Sequence, residues 1–86
     1  MRELVFEQRA FDDLTWWIGQ DRKVALRLMK LIENVQRTPF EGLGKPEPLK
    51  HELSGMWSRR INREHRLVYT VSDEQIKIVS CRFHYK

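Results

Sequence analysis

The sequence predicts an α+β fold: two N-terminal helices packed on one face of a twisted, mainly antiparallel sheet, in the order β-α-α-β-β-β-β. Three observations carry this expectation. Apolar residues recur at helical spacing in the first half of the chain and at every second position in much of the second half. The strand-like runs of the second half are joined by short connections, which calls for an antiparallel meander. Only 86 residues are available, enough for a single domain spanning 1–86 and near the lower limit for a self-sufficient core.

Each element follows from its local pattern. Arg2–Phe6 reads as a short first strand. From Gln8 the period changes, and Phe11, Leu14 and Ile18 form the stripe of a first helix that breaks near Gly19. Asp21 is the expected N-cap of a second helix. Its inner stripe is Val24, Leu28, Leu31 and Val35, widened by Ile32, while Arg22, Lys23, Arg27, Lys30 and Arg37 stay outside. Thr38-Pro39 ends it, because the residue before proline resists the helical region. The stretch TPFEGLGKPEPLK, with three prolines and two glycines, is an irregular loop within the domain. Strands are then expected at Leu49–Leu53, Met56–Asn62, Arg66–Val71 and Ile76–Tyr85, with turns at Ser54-Gly55 and at Ser72–Gln75. The face of the sheet away from the helices is left open.

Charge narrows the function classes. The net charge is +4. Residues 1–44 carry seven Lys/Arg against seven Asp/Glu, and residues 45–86 carry nine against five, so the whole excess lies in the second half. That asymmetry points to a polyanion-binding face. The single Cys81 excludes an internal disulfide and a cysteine-based zinc site. The N-terminus lacks a signal-peptide pattern and no apolar run reaches membrane-spanning length, so a cytoplasmic protein is expected.

The ending SCRFHYK collects a cation, an imidazole and a phenol. Alternation in the fourth of these strands puts Leu67, Tyr69 and Val71 in the core and turns Arg66 to the open face. In the last strand the same rule groups Val79, Cys81 and Phe83 on one apolar face, with Phe83 read as core, leaving Ser80, Arg82 and His84 opposite. A hairpin about residues 72–75 would bring Arg66 near residues 80–84. A carboxylate waits in Lys45-Pro46-Glu47-Pro48, where two prolines stiffen its mount. Carboxylate, guanidinium and imidazole are the groups that metal-free RNA cleavage needs: one takes the 2′-hydroxyl proton, one neutralises the phosphate, one protonates the leaving oxygen. Trp16 and Trp17 read as packing residues, and Trp57 as either packing or base stacking. His51 and His65 are further candidates for RNA phosphates. The spacing of the three histidines fits no metal-ligand signature, and no cofactor is expected.

The segment RTPFEGLGKPEPLKHELSGMWSRRINREHRLVYTVSDEQIKIVSCRFHY resembles the YoeB (Txe/YoeB) toxins of the RelE-like superfamily, and the helical first half is similar too. Two blocks carry the likeness: TPFEG-x-GKPEPLKH-x-LSG-x-WSRRI, then EHRLVY with a closing CRFHY. The resemblance implies a toxin of a type II toxin–antitoxin system: a metal-independent endoribonuclease that cuts mRNA in the ribosomal A site and leaves a 2′,3′-cyclic phosphate. It implies Glu47 as base, Arg66 as phosphate contact, and the terminal pair His84 and Tyr85 as acid and substrate-orienting group. RNA or ribosome contacts are expected from Lys45, Lys50, His51, Arg59, Arg60 and Arg82. Implied partners are the ribosome with its mRNA and a YefM/Axe-like antitoxin with an acidic flexible tail, with a homodimer as a further option. Leu43, where relatives often carry a basic residue, and the extra Lys86 depart from the family pattern. The competing readings are a non-catalytic basic RNA- or DNA-binding module and a peptide-binding module, neither of which needs a presented carboxylate.

Overall fold

The structure, a computed structural model of the chain, describes residues 1–83; His84, Tyr85 and Lys86 lie outside the described residues. The elements are β1 (Glu3–Phe6), α1 (Gln8–Gln20), α2 (Arg22–Arg37), β2 (Glu47–Pro48), a 3-10 turn at His51–Leu53, β3 (Trp57–Arg60), β4 (Arg66–Val71) and β5 (Gln75–Ser80). The five strands form one sheet in the order β1-β5-β4-β3-β2. The strands from β2 to β5 are antiparallel neighbours, as the short turns require. The β1 strand departs from the meander: it lies parallel to β5, with Glu3 opposite Gln75 and Phe6 opposite Ile78. A parallel pair needs a long connection, and here it runs through both helices and the strands from β2 to β4.

The second helix behaves as its pattern dictates. The Asp21 carboxylate accepts from the Val24 N–H at 3.3 Å, capping the first turn. Ala25, Leu28, Leu31, Ile32 and Val35 are buried against Leu67, Tyr69, Ile76 and Ile78 of the sheet. Each large apolar side chain so buried contributes roughly 1.5–3 kcal/mol.

The first helix is rotated from its predicted stripe. Phe11 and Ile18 are 55% and 58% exposed, whereas Ala10, Asp13 and Trp17 are buried and Leu14 is half-buried. Polar bonds to the end of the sheet set this rotation. The Asp13 carboxylate accepts from the Cys81 N–H at 3.0 Å, and the Trp17 indole N–H donates to the Cys81 carbonyl at 2.8 Å. Backbone groups beyond the end of β5 would otherwise be buried without partners, a cost of about 1–3 kcal/mol each.

The last strand is shorter than expected and its alternation is broken. Val68 pairs with Ser80 and Tyr69 with Ile78, so Val79 is an extra residue in a β-bulge. Ile76 and Ile78 therefore reach the core while Val79 is only half-buried. Cys81 is fully buried beyond the strand end, but Phe83 has a φ of 65° and is 52% exposed, so the core role expected of it is corrected. The strand expected at Leu49–Leu53 is also replaced. Pairing begins two residues earlier, at Glu47, and residues 51–53 close into a turn in which the Ser54 N–H donates to the His51 carbonyl. Proline is tolerated in β2 because it is an edge strand.

No helix among the described residues is long and apolar enough to cross a membrane.

Candidate active site

The register fixes which side chains share the face away from the helices. Glu47 lies opposite Ser58, Ser58 opposite Val68, and Val68 opposite Ser80, one row across four strands. Arg60 lies opposite Arg66 in the next row on that face. Ser58, Val68 and Ser80 are small and buried, so they make a low floor, whereas Glu47 and Arg60 are exposed. Glu47 and Arg66 are thus two strands apart and offset by one row, about 10 Å across the sheet and 7 Å along it at ordinary strand spacing.

Glu47 is held by its chain neighbours. Pro46 and Pro48 restrict the backbone on both sides, and the cross-strand pairing to β3 fixes its register. The preceding loop is zipped to β3 by the Arg60 N–H donating to the Gly44 carbonyl at 2.7 Å. Gly44 has a φ of 80°, and a Cβ there would meet the Arg60 carbonyl oxygen and a Leu31 methyl at 3.0 Å, so only glycine permits this approach. A groove of about 610 Å³ opens beside Glu47, walled by Lys50, His51 and Glu52. Lys45, Lys50 and His51 are all exposed, consistent with contact to a polyanion.

Arg59 does not belong to this surface, which corrects the expectation that it faces RNA. It is 0% exposed. Adjacent strand residues point to opposite faces, and Arg59 takes the helix side with Leu67 opposite it. Its guanidinium donates to the Leu43 carbonyl at 3.0 Å, the Glu41 carbonyl at 3.0 Å and the Tyr69 hydroxyl oxygen at 3.1 Å, and also to the Thr38 carbonyl and the Asn34 side chain. Tyr69 in turn donates to the Pro39 carbonyl at 2.7 Å. The loop between α2 and β2 is wrapped around this one cation. Burial raises the Tyr69 hydroxyl above its ordinary value, partly offset by the hydrogen bond and charge of Arg59.

Arg66 is half-buried, and one of its terminal nitrogens donates to the carbonyls of Asn62 at 3.0 Å and His65 at 3.2 Å. Its backbone N–H donates to the Phe83 carbonyl at 3.0 Å, which brings the end of the described chain beside it as the hairpin reasoning expects. Arg82 is turned differently from the expectation of a phosphate contact. Its guanidinium carbon lies 3.4 Å from the Trp16 ring centroid and 4.5 Å from that of Phe83, and its buried Nε has no hydrogen-bond partner among the described residues. His65 also faces inward: its ring meets the edge of Trp17 at 4.8 Å, and Nδ1 accepts from the Phe83 N–H at 2.7 Å. His84 and Tyr85, the expected acid and orienting group, lie outside the described residues. Sequence reasoning missed Asp13 as a support, and it missed the bonds by which Trp17 and His65 hold Cys81 and Phe83. Among the described residues no cluster of three or more His, Cys, Asp or Glu side chains is arranged to hold a metal ion.

Comparison with known proteins places this geometry. Residues 6–85 match the family described as "YoeB-like toxin of bacterial type II toxin-antitoxin system". The chain is 51% identical to the toxin YoeB of Escherichia coli K12 over 83 residues, covering 96% of this chain and 99% of that protein. A YoeB/ParE toxin from Agrobacterium tumefaciens superposes with a TM-score of 0.93 at 47% identity, covering 96% of this chain and 99% of that one. The YoeB of a YoeB–YefM complex from Staphylococcus aureus superposes at 0.88 with 44% identity and 99% coverage of both chains. A five-stranded sheet backed by two helices and a match over nearly the whole length agree: the chain belongs to the YoeB-like toxins of bacterial type II toxin–antitoxin systems.

Proposed function

We propose that this toxin is a ribosome-dependent endoribonuclease that cleaves mRNA in the A site by general acid–base chemistry. The observation that carries this reading is the shared face of Glu47, Arg60 and Arg66, with the C-terminal segment bonded alongside Arg66. Glu47 takes the proton of the ribose 2′-hydroxyl, and the freed oxygen bonds to phosphorus. Arg66 neutralises the charge that grows on the non-bridging oxygens, a task suited to a planar, permanently charged fork. The bond from phosphorus to the 5′-oxygen breaks as His84 delivers a proton to that oxygen. Tyr85 orients the nucleotide by stacking. The upstream fragment then ends in a 2′,3′-cyclic phosphate and the downstream one in a 5′-hydroxyl; no metal ion enters these steps.

The remaining basic residues serve docking. Lys45, Lys50, His51 and Arg60 are exposed around the candidate site, and Arg22, Lys23, Arg27, Lys30 and Arg37 line the outer face of α2. Such a dispersed cation set suits a large RNA surface better than a private groove, which favours action inside the ribosome. By analogy with the S. aureus proteins described as a YoeB–YefM complex and a YoeB dimer, the partners are an antitoxin and a second copy of this chain. The antitoxin's contacting tail is acidic with apolar anchors, and the protein acts in the cytoplasm.

A growth assay tests the reading. Induction of the intact chain should arrest bacterial growth and cut mRNA only in translating ribosomes. The double substitution Glu47→Ala, His84→Ala should abolish both. Growth arrest by the double variant, or equal cleavage of naked RNA by the intact chain, would contradict it.

A further inference from the structure

We infer that His65 is a positioning residue for the C-terminal catalytic tail. This inference rests on the reading above in which His84 delivers the proton. The residues leading to His84 are tied at every step. Cys81 is bonded through both its N–H, to Asp13, and its carbonyl, to Trp17. Arg82 is stacked between Trp16 and Phe83. Phe83 donates its N–H to His65 Nδ1 at 2.7 Å and accepts from the Arg66 N–H at 3.0 Å.

The strand ladder has ended by then, since β5 closes at Ser80 and Phe83 has a φ of 65°, a left-handed conformation that non-glycine residues adopt at a cost. A side-chain acceptor is what pins the Phe83 N–H, and Phe83 is the residue covalently bonded to His84. The imidazole is itself held, edge-on to Trp17 at 4.8 Å and tilted against the Phe83 ring at 5.7 Å, while its own backbone bonds to Ile61 and Asn62. For Nδ1 to accept, it must carry no proton. His65 also stands next to Arg66 in sequence, so one short segment presents the phosphate-contacting guanidinium and anchors the tail that carries the acid. The geometry fixes where Phe83 lies relative to Arg66.

Two substitutions separate acceptor from packing. His65→Phe keeps an aromatic ring against Trp17 and Phe83 but removes the acceptor. His65→Asn shrinks the ring but returns a carbonyl oxygen near the Nδ1 position. Single-turnover cleavage of mRNA in programmed ribosomes is measured for both, with amide exchange at Phe83 followed by NMR. His65→Phe should lower the cleavage constant by roughly tenfold, about one hydrogen bond, with the half-saturating toxin concentration unchanged and Phe83 exchange accelerated. His65→Asn should recover most of the rate and the protection. Full-rate cleavage by His65→Phe, or equal losses in both variants, overturns the inference. So does rapid exchange of the Phe83 amide in the native chain, a result that needs no folded variant. His84→Ala is run beside them: if it cleaves like the native chain, the proton-donor reading fails and the inference fails with it, even where Phe83 protection stays intact.

Discussion

Arg66 illustrates how one residue's surroundings divide its duties. Its strand neighbours Leu67 and Tyr69 are fully buried, so the strand is held by them. Among the described residues the guanidinium bonds only to carbonyls of the adjoining turn, at Asn62, Arg63 and His65. Arg66→Ala should therefore lose on the order of a hundredfold in cleavage, the scale of one lost preorganised donor, while its thermal midpoint stays within a few degrees of the native value. Paired kinetics and thermal melts check this; a variant that unfolds, or one that cleaves normally, would contradict the assignment. Cys81 shows the opposite case, a reactive group silenced by its site. Burial, reinforced by the Asp13 carboxylate, pushes its thiol from 9.0 up to about 12. Between those values the unfolded chain loses the proton and the folded chain keeps it, so stability present below about pH 9 should be lost as pH rises toward 12. The raised Tyr69 hydroxyl adds in the same direction. Denaturant midpoints measured from pH 8 to 11 should fall, and Cys81→Ala should flatten part of that fall. The native thiol should also resist alkylation at pH 8; rapid labelling without unfolding would contradict the burial argument.

At the scale of elements, the loop joining α2 to β2 depends on Arg59 for its shape. A buried cation with carbonyl, amide and hydroxyl partners cannot be exchanged for a hydrophobe without orphaning those groups. Arg59→Met should destabilise the fold by about 3 kcal/mol or more, of the order seen when one member of a buried charged network is removed. Arg59→Lys should recover little, because an ammonium cannot reproduce the fork. Urea melts of the three proteins decide this, and near-native stability of either variant would contradict the clamp. Sequence reasoning did not read Arg59 inward, although the signal was present: in WSRR, alternation puts Arg59 on the side of Trp57 and Arg60 on the other. The second helix was legible because periodicity and burial agree from Leu28 to Val35. The β4 strand was legible because Leu67 and Tyr69 are buried as alternation expects, although Val68 on the other face is buried as well and Val71 only half-buried. The first helix was not, since its inner face is chosen by the bonds of Asp13 and Trp17 to Cys81, more than sixty residues away. Long-range pairing likewise creates the bulge at Val79, and a period-two count cannot anticipate an inserted residue. The place of Arg66 on the face away from the helices was legible from alternation, whereas the anchoring of Phe83 by His65 exists only in three dimensions.

For the whole molecule, β1 forms one edge of the sheet, parallel to β5, and β2, which carries Glu47, forms the other. The helices cover one face, and Glu47, Arg60 and Arg66 share the other. The central claim is that Glu47 and His84 work this face as base and acid toward a 2′-hydroxyl, and the chemical ends of the cleaved mRNA report on it most directly. Message cut in translating ribosomes should carry a 2′,3′-cyclic phosphate on the upstream fragment and a 5′-hydroxyl on the downstream one, and Glu47→Gln should suppress the single-turnover rate. Fragments ending in 3′-hydroxyl and 5′-phosphate, or full-rate cleavage by Glu47→Gln, would contradict the account.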